Sequence, residues 1–268
     1  MTATSSEPRF EFGSNWTNFS VGLTDRAIED ATASVQDILG VCDLKGKSFL
    51  DVGSGSGLFS LAARKLGARV HSFDYDPKSV SCTAELKRRY FSGDEQWIVE
   101  QGSALDRDYL VRLGQFDIVY SWGVLHHTGA MWDAISSVMP MVAPDGKLCI
   151  AIYNDQRSIT RYWTKVKRLY CSRPWLRPVL IAAHAPYLGA RAIARTVAGR
   201  GRLERGMSLW HDYLDWLGGY PFEAATPEQI FEFVSQQGFV LRKMKTCGGR
   251  MGCNEFMFER THQPESSK

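Results

Sequence analysis

Three glycines at alternate positions, in Asp51-Val52-Gly53-Ser54-Gly55-Ser56-Gly57, close a short apolar run and open a helical pattern. Glycine serves where a turn needs positive φ or where backbone must lie against a ligand. The spacing differs from the dinucleotide fingerprint, whose third glycine would fall on Leu58, and this disfavours an NAD-dependent dehydrogenase. Asp51, two residues before the first glycine, suits a ligand with an ammonium group better than one with a pyrophosphate. A second acid, Asp74, ends the run Val70-His71-Ser72-Phe73, 17 residues after Gly57. A carboxylate at such a strand end accepts both hydroxyls of a ribose. The small and polar Gly102-Ser103-Ala104-Leu105-Asp106 follows a third apolar run and is suited to flank an adenine.

A fourth run leads into Ser121-Trp122-Gly123-Val124-Leu125-His126-His127-Thr128-Gly129. Imidazole titrates near neutrality, so His126 and His127 are candidates for a general base, with bracing of the loop as the alternative. A fifth run ends Tyr153-Asn154-Asp155-Gln156, where Asn154 and Asp155 either touch an acceptor or form a polar turn. His211 and Asp215 are four apart and can pair on one helical face within the aromatic stretch Trp210–Trp216. Two further clusters, Cys253-Asn254-Glu255 and the aromatic run Phe10, Phe12, Trp16 and Phe19, are candidates for an acceptor pocket and a closing segment.

The elements that must hold these groups alternate. Strand patterns fall at 47–52, 69–74, 96–101, 116–121 and 147–154, with helical patterns at 57–66, 78–90, 106–113 and 131–142. Such alternation predicts right-handed crossovers and a mostly parallel sheet covered on both faces, with ligands at the carboxyl ends of the strands. An amphipathic helix over 24–39, capped by Thr24, precedes the first strand. A helix from Thr226-Pro227-Glu228 to Gly238 is followed by strands at 239–246 and 253–259, joined by the turn Gly248-Gly249-Arg250-Met251-Gly252. That pair predicts an antiparallel hairpin at the sheet's edge.

The stretch 155–222 breaks the alternation. Residues 158–171 form an amphipathic pattern with Ile159, Tyr162, Trp163, Val166, Leu169 and Tyr170 on one face and Arg161, Lys165 and Arg168 on another. The apolar stretch that follows, 174–198, is too short to span a bilayer and is interrupted by Pro186. Between Gln156 and Gly206 lie twelve Lys or Arg and one acid, Glu204, a local charge of +11 against +3 for the chain and −8 for the remainder. So large a split points to an anionic partner or a solvated helical face. The 268 residues, 44% hydrophobic and 23% charged, exclude a largely disordered chain and a polytopic membrane protein. Six scattered cysteines without a CxxC pair, and a first stretch without an apolar core, lead us to expect a reduced cytoplasmic protein with no thiolate metal site.

These motifs together, DVGSGSG, VHSFDYD, QGSALD and FDIVYSWGVLHHTG, resemble the class I S-adenosylmethionine-dependent methyltransferases over roughly 47–154 plus the final hairpin. The resemblance implies a Rossmann-like α/β fold: a seven-stranded, mostly parallel sheet with an antiparallel terminal hairpin and a helical insertion after strand five. It implies S-adenosylmethionine as cofactor. Carried over residue by residue, Gly53, Gly55 and Gly57 pass under the methionine part, Asp74 holds the ribose, Ser103 and Ala104 touch the adenine, and Asp51 fixes the loop or the amino group. Ser54, Tyr75, Leu105, Ser121 and Trp122 complete the expected cofactor-binding set. Relatives often carry VLHH or VLEH in the fourth loop, one histidine bracing it; Gly123 and His126 stand where some ubiquinone-pathway relatives place acids, so no metal is expected. YNDQ is not the Asn/Asp-Pro-Pro-aromatic motif of enzymes that methylate exocyclic base amines.

The expected organisation is 1–40 as a segment and helix covering the cofactor site, 41–155 as the cofactor-binding core, 156–222 as a basic insertion forming lid and acceptor region, and 223–260 as the completing helix and hairpin. The expected reaction is in-line methyl transfer to an oxygen, nitrogen or sulfur centre of a small molecule, including a small thiol or an anionic metabolite. RNA methylation using the basic insertion is an alternative, though nucleic acid is not the expected partner. A second alternative is a membrane-associated enzyme with a lipid-like acceptor, and a third a non-enzymatic adaptor seated on a membrane. Peripheral membrane contact through the insertion is weighed against a lid, and the lid is favoured. The sequence leaves the oligomeric state open.

Overall fold

The computed structural model describes residues 9–10, 13, 23–197 and 216–261. Seven strands, β1 (Ser48–Val52), β2 (Arg69–Asp74), β3 (Trp97–Gln101), β4 (Phe116–Trp122), β5 (Val142–Tyr153), β6 (Phe239–Lys245) and β7 (Cys253–Arg260), form one sheet in the order β3-β2-β1-β4-β5-β7-β6. The first five are mutually parallel, and β7 runs antiparallel to both β5 and β6. The expected hairpin is present, with β7 inside it and β6 on the edge.

The helices follow from local sequence. In α1 (Asp25–Leu39) the Thr24 side chain accepts the Ala27 N–H, and Ile28, Ala31, Val35 and Ile38 are buried along one stripe. Then come α2 (Leu58–Lys65), α3 (Pro77–Tyr90), α4 (Arg107–Leu113) and α5 (Met131–Val138). Asp76 and Asp106 cap α3 and α4. α5 stops four residues short of the expected end, because Pro140 tightens the chain into a 3-10 turn over Met139–Met141. Two apolar clusters fill the faces of the sheet. One is built around Leu50, Val119, Ile135, Ile150 and Phe258, the other around Phe49, Leu61, Trp97 and Tyr120.

After β5 the chain enters α6 (Ser158–Ser172), a 3-10 turn over Pro174–Leu176, and α7 (Arg177–Val197). α7 continues through Pro186, contrary to the expected break. The carbonyl deprived of its donor belongs to Ala182, on an exposed stretch where water can serve it. The apolar face of α6 also departs from expectation. Trp163, Val166 and Tyr170 are buried, Lys167 is buried beside them, and Ile159, Tyr162 and Leu169 are exposed. α8 (Pro227–Ser235) opens on a reciprocal capping box between Thr226 and Gln229 and ends three residues before Gly238.

The strand order makes a quantitative prediction. Phe258 on β7 is fully buried, whereas Met244 on β6 is half exposed. In urea unfolding, Phe258→Ala should cost about 3–5 kcal/mol, and Met244→Ala should stay within about 0.5 kcal/mol. Similar small losses at both positions would contradict the interior placement of β7.

Candidate cofactor and acceptor site

Parallel registry brings the carboxyl ends of β1 to β5 to one edge: Val52 pairs with Phe73, Asp74 with Gln101, and Trp122 with Ala151. The glycine loop therefore meets the β2, β3 and β4 loops without further folding. Gly53 and Gly57 have φ of 77° and 81°. A Cβ on Gly53 would run into Val124, and one on Gly57 would lie 2.9 Å from Thr83 Cα, so both are also required by close approach. The Phe73 carbonyl accepts from Gly53 N (2.9 Å) and Ser54 N (3.0 Å), tying the loop to β2. Ser54 Oγ lies 3.0 Å from Thr83 Oγ1.

Two carboxyls stand under and beside this loop. Asp74 Oδ2 accepts from Gly55 N and Oδ1 from Asp76 N, each at 2.9 Å. Asp51 is buried within β1 and accepts a hydrogen bond from Ser60 Oγ on α2. Ser72 Oγ donates to Ser60 Oγ (2.7 Å), and Trp97 Nε1 donates to Ser72 Oγ (2.9 Å). Burial pushes the Asp51 carboxyl up to about 7; the Ser60 bond opposes the shift and the charge of Asp74 adds to it. Burial likewise raises Asp74 to about 6, against the pull of its backbone N–H donors.

The other expected cofactor residues divide. Tyr75 is exposed beside Asp74, with the Arg9 guanidinium 5.4 Å from its ring centre. Ser103 Oγ accepts from Leu105 N at 3.2 Å. The Ala104 side chain is buried in the core, which leaves its backbone and its neighbours for a ligand. Ser121 Oγ is spent on the Val52 carbonyl at 3.0 Å, and Trp122 is stacked on Phe59 at 6.2 Å. Those two side chains join β4 to its neighbours and are engaged within the protein.

The acceptor-side candidates also divide. The rings of His126 and His127 lie 4.4 Å apart, and Tyr153 lies 4.2 Å from the fully buried His126. His127 Nδ1 is 2.6 Å from the Pro221 carbonyl. A carbonyl only accepts, so Nδ1 carries the proton, and the basic nitrogen of the neutral ring is Nε2. Asn154 is locked into the sheet: its Nδ2 donates to the Arg250 carbonyl (3.3 Å) and its Oδ1 accepts from Asn254 Nδ2 (3.0 Å). Asp155 Oδ1 accepts from Arg157 N at 2.8 Å, a turn that leads into α6. His211 and Asp215, with Phe12, Trp16 and Phe19, lie outside the described residues.

Sequence does not single out Phe222 or Lys167, which join Tyr153, Trp163 and Trp216 at this site. Phe222, Tyr153, Trp216 and Trp163 pack in a chain with successive ring centres 5.1 to 5.7 Å apart, the first pair tilted and the other two edge to face. Lys167 Nζ lies 4.5 Å from the Trp216 ring centre and 4.7 Å from that of Phe222, and donates to the Trp216 carbonyl. Its signal was its position, four residues after Trp163 and three before Tyr170, inside the inward stripe of α6. Gly13 N donates to Asp76 Oδ2 (2.9 Å) and Arg9 donates to the Thr128 carbonyl (2.7 Å), so the described part of the N-terminal segment bridges the β2 and β4 loops.

A seven-stranded sheet with one reversed interior strand, carrying a glycine loop and two acids at the parallel strand ends, is the architecture of a class I S-adenosylmethionine-dependent methyltransferase. A profile described as methyltransferase domain matches residues 24–201, and the chain belongs to that family. The ribosomal protein L11 methyltransferase of Methylococcus capsulatus (strain Bath) is 40% identical over 78 residues, 29% of this chain and 27% of that protein. The tRNA U34 carboxymethyltransferase of the same organism is 33% identical over 111 residues, 41% of this chain and 33% of that one. The chain thus spans about a third or less of the length of these two relatives. Magnesium protoporphyrin IX methyltransferase from Synechocystis PCC 6803, solved with bound S-adenosylhomocysteine, shares the fold. Its TM-score is 0.56 at 14% identity, over 93% of this chain and 94% of that chain.

S-adenosylmethionine is the cofactor of the family, and the donor set fits it. The molecule carries an ammonium, a sulfonium and a ribose diol, and the strand ends offer two carboxyls and a loop of bare backbone. Ionised carboxylates serve both the cations and the diol. Affinity for S-adenosylhomocysteine, which keeps the ammonium and the diol, should therefore rise from pH 5.5 to 8 as groups near 6 and 7 ionise. The same shifts act oppositely on the free protein. With folded values above the ordinary 3.8, the folded chain keeps protons that the unfolded chain has lost. That contribution to stability is full below the unfolded value and disappears as pH rises through the folded ones. Calorimetry across this range checks the first trend and urea unfolding of Asp51→Asn against the parent checks the second; pH-independent cofactor affinity would refute the arrangement. Asp74→Ala should weaken binding by roughly 1–3 kcal/mol.

Proposed function

We propose that this chain methylates a small molecule held between the histidine loop and the inner face of the insertion. The observation that carries the reading is the junction at Val124. This residue packs on Gly53, under the cofactor loop, and the chain then runs directly into His126, His127 and the aromatic cluster of Tyr153, Trp163, Trp216 and Phe222. The insertion 156–222 acts as lid and acceptor wall, and the 1–40 segment as the cover of the cofactor edge.

The cofactor supplies an electrophilic methyl group on a sulfonium. The chain's work is to hold the acceptor in line with that methyl and to exclude water. Aromatic walls do both for a flat or apolar acceptor. His127, with Nδ1–H fixed on Pro221, presents Nε2 as the base for an acceptor hydroxyl. A thiol needs little help, since it ionises near pH 8.5. The buried Lys167 ammonium places positive charge at the cluster, which suits an anionic acceptor. Asn154, Asp155 and Glu223 act as positioning residues: the first two fix the end of β5, and Glu223 accepts from Met131 N (2.9 Å) behind the histidine loop.

The relatives named above act, by their names, on a ribosomal protein, a tRNA and a metalloporphyrin. A small molecule is the better reading here because Arg161, Lys165 and Arg168 are exposed on α6 while Trp163, Val166 and Tyr170 face the cluster. Phosphates gathered by those cations would lie on the side away from the reacting end.

A screen of phenols, amines, thiols, carboxylates and tRNA, following S-adenosylhomocysteine release, tests the proposal. Turnover with tRNA alone would reject it. With an accepted hydroxyl substrate, His127→Gln should lower kcat about a hundredfold or more while cofactor affinity holds. A modest rate loss with a lowered Tm would assign His127 to bracing instead.

A further inference from the structure

The insertion has two sides. Its inner side, Trp163, Val166, Lys167 and Tyr170, is committed to the protein. Its outer side carries apolar groups that the core does not use. Ile159, Tyr162 and Leu169 are exposed on α6, Trp175 is 70% exposed in the following 3-10 turn, and Val179 is 61% exposed one helical turn later. Scattered exposed apolar residues need no explanation, but a cluster of them does. Arg173 N donates to the Leu169 carbonyl and Leu176 N to the Arg173 carbonyl, both at 2.9 Å, so the chain turns there from α6 toward α7, and Leu169, Trp175 and Val179 fall at or beside that turn.

Cations interleave with them. Arg161, Lys165, Arg168 and Arg173 are exposed. The ion pairs among the described residues lie elsewhere, so these four are not neutralised by carboxylates there. The sequence has no acid from Gln156 to Leu203.

We propose that the α6–α7 corner is a docking surface for an anionic lipid bilayer, with Trp175, Val179 and Leu169 entering the interface and the four cations reaching headgroups. An exposed tryptophan with two aliphatics at a helical corner, on a segment that also exposes arginines and a lysine, matches the chemistry of an interface that is apolar below and anionic above. A nucleic acid would use the cations but would gain nothing from exposed leucine and valine. Among the described residues no helix is long and apolar enough to cross a membrane, so the contact is peripheral. This inference does not depend on which acceptor the site takes.

The test is flotation of the full chain with phosphatidylcholine vesicles, with and without phosphatidylglycerol. Binding should require the anionic lipid, weaken as salt is raised, and fall about fivefold for each cation removed in Arg168→Gln and Arg173→Gln. Trp175→Ser with Val179→Ser should reduce binding about tenfold or more, with circular dichroism and S-adenosylhomocysteine affinity unchanged. Equal binding to neutral vesicles, or no binding to either, would overturn the proposal. So would anionic binding indifferent to Trp175→Ser, or a tRNA transcript that displaces the vesicles and binds the Trp175→Ser variant undiminished. Loss of cofactor affinity in that variant would place the corner in the site and reject a separate surface.

Discussion

Asp51 puts a carboxyl where a carboxyl is least welcome, inside a parallel sheet and next to a second acid. Its tolerance rests on a chain of donors with a single direction. An indole N–H can only donate, and once Asp51 is ionised its carboxylate can only accept, so in that form the two hydroxyls between them relay from Trp97 through Ser72 and Ser60 to Asp51. The relay draws on β3, β2, α2 and β1 in turn. The strand that ends in the glycine loop is thereby fixed to the strand that ends in Asp74, and the distance between the two acids is set by buried polar contacts as well as by the backbone ladder.

Much of this was legible in the sequence because it is local. A strand end, a run of glycines and an acid near the next strand end are read within about thirty residues, and parallel registry then brings them to one edge without further information. What was not legible is what depends on distant partners. Asn154 looked like an acceptor contact because its neighbours are polar, but its amide belongs to Asn254, 100 residues later. Ser121 enters the expected cofactor set through the family resemblance alone, and its hydroxyl donates to the Val52 carbonyl beneath the loop. Lys167 was hidden by its type, since a lysine in a basic helix is read as solvated. Only its phase relative to Trp163 and Tyr170 marks it as inward.

The histidine loop shows how bracing and chemistry can share one contact. The bond from His127 to the Pro221 carbonyl fixes the ring to the last residues of the insertion, and the same bond selects the tautomer. A change in the insertion therefore reaches the imidazole through backbone. Phe222, one residue beyond that carbonyl, belongs to the insertion's apolar cluster with Trp163 and Tyr170, so packing of α6 and orientation of the histidine are set together.

The place of β7 has a consequence for how the chain assembles during synthesis. β5 is complete at Tyr153, yet its outer edge pairs with Cys253–Arg260, a hundred residues further on. β6 emerges from the ribosome before β7 but has no place to dock, because among the described residues its strand partner is β7 alone. Throughout that interval a long apolar strand offers an unpaired edge, the kind of edge on which chains aggregate. The interval is filled by the insertion and α8, so these helices are the first material available to shield it. Residues 253–260 then act as the closing piece, satisfying both edges in one step.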